Sequence, residues 1–318
     1  MKLLISCVNS PQSLIGYDLD KRETFWRLES EGFKACGISY FRHGLLVSSD
    51  NRVLHFGPEA ITHTVLQGPH NPLAHSIHPL SPELFGVVDT GHSAVRVYDA
   101  NLQLRQVMSP LAAWPHLPED AIHLNDFVVT PFGMFASCFD YRPWRENRKQ
   151  RSFQEWCSGG YGLILNLTGY SKEIQNGEHR INVPDHSSGR IVQCGLNHPH
   201  SLTLSNGNLY YCSSATGQFH RSAFLQDGGL RETGRFTITQ KHFLRGAYRS
   251  EKGWILGGSS SRHGQTLTDT IALYLFDEDS MKAQEVSIPL PGEIYDILPW
   301  KEEIMNPVQD LIAKLTKK

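Results

Sequence analysis

The 318-residue sequence has no run approaching the roughly 18 apolar residues of a helical membrane span. It has no excess of either charge: 30 Lys and Arg stand against 32 Asp and Glu, so nothing draws the whole chain to nucleic acid or to an anionic membrane. Cysteine pairs are missing too. Cys7, Cys36, Cys138, Cys157, Cys194 and Cys212 are scattered without a C-x-x-C spacing and read as thiols rather than disulfides, mostly in buried strands of a cytoplasmic protein. "MKLLISCV" is too short for the apolar core of a signal peptide, and "NSPQS" after it carries no small-residue cleavage pattern. A G-x-S-x-G elbow, a P-loop and a dinucleotide fingerprint are absent, which disfavours serine-hydrolase and nucleotide-cofactor chemistry. Helical periodicity is scarce until "EEIMNPVQDLIAKLTKK", where Ile304, Val308, Ile312 and Leu315 form one face.

What is present is β structure, in a chain 40% hydrophobic and long enough for a substantial core. In "SLTLSNGNLYYCSS", Leu202, Leu204, Leu209 and Tyr211 alternate with polar residues around Asn206-Gly207, a strong hairpin signal. Related hairpins stand in "KACGISYFRHGLLVSSDNRVLHF", "LAHSIHPLSPELFGVVDTGHSAVRVYD", "HLNDFVVTPFGMFASCFDY" and "FLRGAYRSEKGWILGGSSSR". A sixth copy is divided. "GEIYDILPW" near the C-terminus is a lone inner strand, and "KLLISCV…SLIGYDL" at the N-terminus supplies its partners. The aligned strand openings are Gly37, Ser76, Asp126, Ser201, Gly246 and Asp296, spaced by 39, 50, 75, 45 and 50 residues. Apart from one long insertion these steps are the per-blade periods of a propeller. The expected fold is therefore all-β, a six-bladed β-propeller over residues 1–300 closed by pairing its own termini, followed by a short helix at 301–318. A β-sandwich leaves the divided sixth repeat unexplained.

In a propeller the first strand of each blade lines the central channel, so the residues opening these strands converge on the axis. His75, Asn125, Asp126, His198, His200, Arg245, Tyr295 and Asp296 stand at or beside the six openings, though alternation along a strand forbids all of them from pointing inward. His78 and His123 read as structural histidines bonding neighbouring blades. Arg245 stays charged and needs a carboxylate, Asp126 or Asp296, or else an anionic ligand. The roles that follow give proton transfer to His200 and His75, and orientation and charge balance to Asp126 and Asp296. Substrate binding then falls to Arg245, Asn125, His198 and Tyr295. An alternative is zinc held by His75, His200, Asp126 and Asp296, against which the charge of Arg245 counts. Calcium, which takes six to eight oxygen ligands, finds too few here.

The insert Tyr141–Gly160 joins the second and third strands of its blade, on the face of the openings. Its Arg142, Arg145, Arg148, Lys149 and Arg151, with Trp144 and Trp156, read either as a solvated basic loop or as a lid or funnel for anions. Ser259–Thr266, with Arg262 and His263, belongs to the same face. The expected function is acid/base catalysis, hydrolytic or lyase-like, on a small anionic or polyhydroxylated molecule at the channel mouth. The alternative is a non-catalytic propeller that binds a ligand or a partner protein. Neither nucleic acid nor a membrane is an expected partner.

"HLNDFVVTPFGMFASC" resembles the Asn-Asp opening of an inner strand in the gluconolactonase, regucalcin and paraoxonase superfamily, six-bladed propellers with a metal in the channel. The chain is also similar, from about residue 75 to residue 300, to a bacterial propeller family of unassigned function. The likeness is carried by Pro199 to Gln218, Leu244 to Arg262 and Ile294 to Pro299. The resemblance implies the fold and hardly any function. It departs from the lactonase pattern at three openings. Cys36-Gly37 stands where a metal-binding Glu is expected, His200-Ser201 where Asn-Gly is expected, and Arg245-Gly246 where an Asp is expected. A calcium lactonase site is therefore not carried over.

Overall fold

The structure, a computed structural model, describes residues 1–30, 33–68, 71–110, 120, 122–139, 160–167, 171–175, 178–182, 190–262 and 265–315. Its antiparallel sheets form the six blades of a β-propeller. Blade one is Ile38–Phe41, Gly44–Ser49, Arg52–Phe56 and Ile61–Val65. Blade two begins Ala74–Pro79, Leu84–Asp89, Ala94–Asp99 and Leu104–Met108. Blade three is Leu124–Thr130, Gly133–Cys138, Gly162–Asn166 and Arg190–Leu196. Blade four is Pro199–Ser205, Asn208–Ser213, Gln218–Phe224 and Leu230–Thr237. Blade five is Phe243–Ser250, Gly253–Ser259, Ile271–Asp277 and Lys282–Ile288. Blade six joins the two ends of the chain, Glu293–Pro299 pairing with Lys2–Val8, then Gln12–Asp18 and Glu23–Glu29. The closure expected from the divided sixth repeat is present.

Each blade is covered on both faces, and this sets the sequence pattern. Second strands such as Gly44–Ser49 and Gly253–Ser259 are buried at every residue, whereas the outermost Leu230–Thr237 alternates between half-buried and exposed. The core is correspondingly divided among the six seams. Leu3, Ile5 and Tyr17 of blade six pack on Leu273 and Ile288 of blade five. Leu4 and Leu14, from the other face of blade six, pack on Leu45 and Val47 of blade one. Helix α1 (Glu302–Leu315) covers this last seam with Ile304, Met305 and Val308, and Ile312 packs partly against it. Asn206 and Gly207 adopt φ of 48° and 71°, the left-handed pair a two-residue hairpin turn requires. The described cysteines are thiols, Cys7, Cys36, Cys138 and Cys212 buried and Cys194 exposed.

The 75-residue step between blades three and four has a second cause besides the insert. Ser171–Gln175 and Glu178–Asn182 form a hairpin that leaves blade three and adds to the outer strand of blade two, pairing Gln106 with Glu173 and Val107 with Lys172. Blade two therefore has six strands. The Asn-Gly of "EIQNGEHRI" was the available signal for a hairpin, but nothing local names its distant partner strand.

Candidate functional site

Each inner strand loses register at its opening. His75 and Ser76 lie between the pairs Ala74–Asp89 and Ile77–Val87, so two residues oppose one. The register also shifts between Leu124 and Asp126, between His200 and Thr203, between Leu244 and Ala247, and beside Asp296. In blade one, Cys36 N donates to Ser48 O while Ser48 N donates to Gly37 O, again two residues against one. Such bulges suspend strict alternation and re-aim side chains. Neighbours that alternation would send to opposite faces, Asn125 with Asp126 and Tyr295 with Asp296, thus line one cavity.

The aligned openings are tied from blade to blade. Gly37 N donates to His75 O at 3.1 Å, Ser76 Oγ to Asn125 O at 3.0 Å, and Leu202 N to Asp126 Oδ2 at 2.7 Å. Gly246 N donates to Ser201 Oγ at 2.8 Å and Ile38 N to Asp296 Oδ2 at 3.4 Å. The ring is tight at Gly37, where a Cβ would lie 2.6 Å from His75 O and 2.7 Å from Ile77 N. Gly37→Ala is expected to cost about 2–3 kcal/mol, read as a lower urea midpoint at unchanged slope. A midpoint equal to wild type would show that the ring has slack.

Asp126 and Asp296 come from blades three and six and both border the axial cavity. Asp126 Oδ1 accepts from His78 Nε2 at 2.8 Å and from Phe127 N at 2.8 Å. Asp296 Oδ1 accepts from Ile297 N at 2.9 Å. Burial, reinforced by the charge of Asp126 and opposed by that of His78, pushes the Asp296 carboxyl up to about 6. For His78, burial works against the charged form, but the charge and hydrogen bond of Asp126, with the charge of Asp296, outweigh it and raise the pKa. The cavity between these groups is about 50 Å³, room for one or two small heavy-atom groups. At the mouth toward which the inner strands run lies a larger pocket of about 490 Å³, sharing His78, Leu202, Thr203, Ala247 and Asp296 with the cavity.

Of the residues singled out in the sequence, Asn125, Asp126, His200, Arg245, Tyr295 and Asp296 line the cavity, and His75 and His198 do not. The His75 ring packs edge-on against His123 and Tyr295, at 5.4 and 5.6 Å. His198 stacks on Phe139 at 4.2 Å, and its backbone, like that of His123, is left-handed (φ 54° and 50°), a conformation histidine tolerates better than branched residues. The two imidazoles at the opening of strand Pro199–Ser205 are thus divided: His198 shapes the entry and His200 faces the channel. His200 Nδ1 lies 2.8 Å from Ser214 Oγ and 2.9 Å from His198 O.

Arg245 is buried, with its guanidinium 3.3 Å from the centre of the Tyr295 ring. The carboxylate facing it is Glu293, at 4.0 Å, rather than Asp126 or Asp296, and Glu293 also accepts from Asn9 Nδ2 at 2.8 Å. Glu293 stands three residues before the opening Asp296, outside the residues expected at the channel. His78, expected to be structural, follows Ser76 by two residues and so shares its strand face, and it lines the cavity. Apart from Gly160, the insert 141–160 lies outside the described residues, as does His263.

The zinc arrangement is not assembled. Among the described residues no three His, Cys, Asp or Glu side chains are placed to hold a metal ion. The His75 ring is turned to His123 and Tyr295, while Asp126 is occupied by strand amides and His78. Among the described residues no helix is long and apolar enough to cross a membrane.

No family model matches the chain, and no curated protein matches it. Solved structures do. A protein of unknown function from Bacteroides caccae superposes with a TM-score of 0.57 at 10% identity, over 95% of this chain and 99% of that one. A protein from Lactobacillus plantarum superposes with a TM-score of 0.56 at 11% identity, over 95% and 100%. The calcium-binding regucalcin of Agrobacterium tumefaciens aligns more loosely, with a TM-score of 0.46 at 12% identity over 79% and 73%, and carries no argument about the site. At such identities the likeness is one of fold, and the chemistry rests on the residues of this channel.

Proposed function

We propose that the channel is the active site of a small-molecule enzyme performing acid/base chemistry of a hydrolytic or lyase-like kind. The observation that carries this reading is the meeting of Asp296, with its carboxyl pushed up to about 6, and the His78–Asp126 pair on the wall between the cavity and the larger pocket. Above pH 6 Asp296 is a carboxylate that takes a proton. His78, whose charged form persists beyond the ordinary imidazole value of 6.5, returns one, and Asp126 holds the ring and balances its charge. The Arg245 guanidinium belongs to a side chain lining the same cavity, which suits an oxygen that gains negative charge during reaction. A second reading, a propeller that binds without turnover, is favoured by Val129 and Leu204, which are 49% and 38% exposed at the larger pocket.

Turnover decides between them. Assayed from pH 4 to 9 against a panel of lactones, carboxylic esters and elimination substrates, the protein is expected to show a rate that rises through about pH 6 and falls above the ordinary imidazole range. Absence of turnover across the panel, or a rate lacking the acid limb, overturns the catalytic reading.

A further inference from the structure

Resting on the reading of the channel as the ligand site, we propose that its ligand is a small amphipathic molecule: an apolar body with one compact, uncharged hydrogen-bonding head. It enters from the mouth where the inner strands end, the one opposite the strand openings. Volume and wall chemistry carry the first part. The pocket of about 490 Å³ falls within the roughly 300–1,000 Å³ of small-molecule sites. Phe127, Val129, Leu204 and Leu298 stand in its wall beside Ser39 and Arg249, and His78 and Asp296 are shared with the smaller cavity. A polyhydroxylated body would press several hydroxyls against this wall, each one left unmet costing roughly ten- to a hundredfold in affinity.

The head is defined by the smaller cavity. About 50 Å³ admits one or two heavy atoms, not a sugar ring. Two carboxylates, Asp126 and Asp296, border it, and the guanidinium of Arg245 already faces Glu293, so a full negative charge is poorly received. A donor is well received. Asn125 is 2% exposed and lines the cavity, and its Oδ1 meets no donor among the described residues. A hydroxyl head arriving from the pocket would supply one. This ligand class departs from the anionic or polyhydroxylated molecule expected from the sequence. The sequence showed Arg245 but neither its partner Glu293 nor the apolar mouth.

The test uses the whole chain and the straight-chain 1-alkanols from butanol to octanol, with gluconate as the polyhydroxylated anion, followed by NMR shifts of methyl groups and histidine rings. The expected result is affinity rising roughly fourfold per methylene, with shifts at Val129, Leu204 and His78. Leu204→Asp, at a partly exposed position that tolerates charge, should weaken octanol at least tenfold, and Val129→Asp provides an independent repeat. A flat alkanol series, gluconate binding more tightly than octanol, or shifts confined to His123 and His198 would overturn the proposal. Binding with the expected chain-length dependence but no turnover of any substrate leaves the ligand class standing and removes the catalytic reading. Turnover with a flat alkanol series does the reverse.

Discussion

A chain lacking residues 1–20 will have no cooperative unfolding transition. Those residues supply the second and third strands of blade six, and Lys2–Val8 pairs with the inner strand from Leu3–Pro299 to Val8–Glu293. Leu3, Leu4, Ile5, Leu14 and Ile15 are fully buried, serving the seam with blade five on one face and with blade one on the other. Burying one such side chain contributes about 1.5–3 kcal/mol, so the five together contribute roughly 10 kcal/mol, comparable with the whole stability of a domain. The loss also leaves Glu293–Pro299 as an open edge and exposes the facing surfaces of two further blades. Circular dichroism on heating and gel filtration provide the check. A truncated monomer melting as sharply and as high as the full chain would mean that closure through the termini is dispensable.

Asp296→Asn should exchange activity for stability. Turnover, once a substrate is in hand, is expected to fall at least about a hundredfold, the usual scale for removing a general base. Stability should move the other way, and only above a certain pH. The Asp296 carboxyl titrates at about 6 in the folded chain against an ordinary value of 3.8. Folding therefore favours its protonated form. The stabilisation is complete below 3.8 and is lost as pH rises through 6, where the carboxylate must ionise against burial and the charge of Asp126. An asparagine never ionises. The variant should match wild type near pH 4 and exceed it by about 2 kcal/mol at pH 8, a gap that opens across the window of the shift. Melting curves at four or five pH values measure it. Wild-type turnover together with parallel stability profiles would make Asp296 a mere strut for the Ile38 amide, which it accepts at 3.4 Å.

Much of this architecture was legible in the residues because its causes are local. Alternating apolar residues, the Asn206-Gly207 turn and the period of the openings each reflect backbone preferences acting within a few residues, and the helical face at the C-terminus is of the same kind. Even the closure followed, since a lone strand at one end and a pair at the other have few other ways to bury both faces. The openings Gly37, Ser76, Asp126, Ser201, Gly246 and Asp296 were likewise aligned from sequence, and all but Gly246 line the cavity.

The site itself was decided by contacts between blades. Alternation predicted that Asn125 and Asp126 would face apart, and the bulge, which depends on how each inner strand pairs with its neighbour, brought them together. His78 acquired its role from a carboxylate 48 residues away, and Arg245 faces a glutamate 48 residues along the chain. The hairpin 171–182 left its own blade for another. A sequence states which residues begin each strand and how often, because propensity and period act along the chain. Side-chain direction, charge partners and which mouth leads to the carboxylates are set across the seams, where residues distant in sequence exclude water together, and these were settled only when the ring closed.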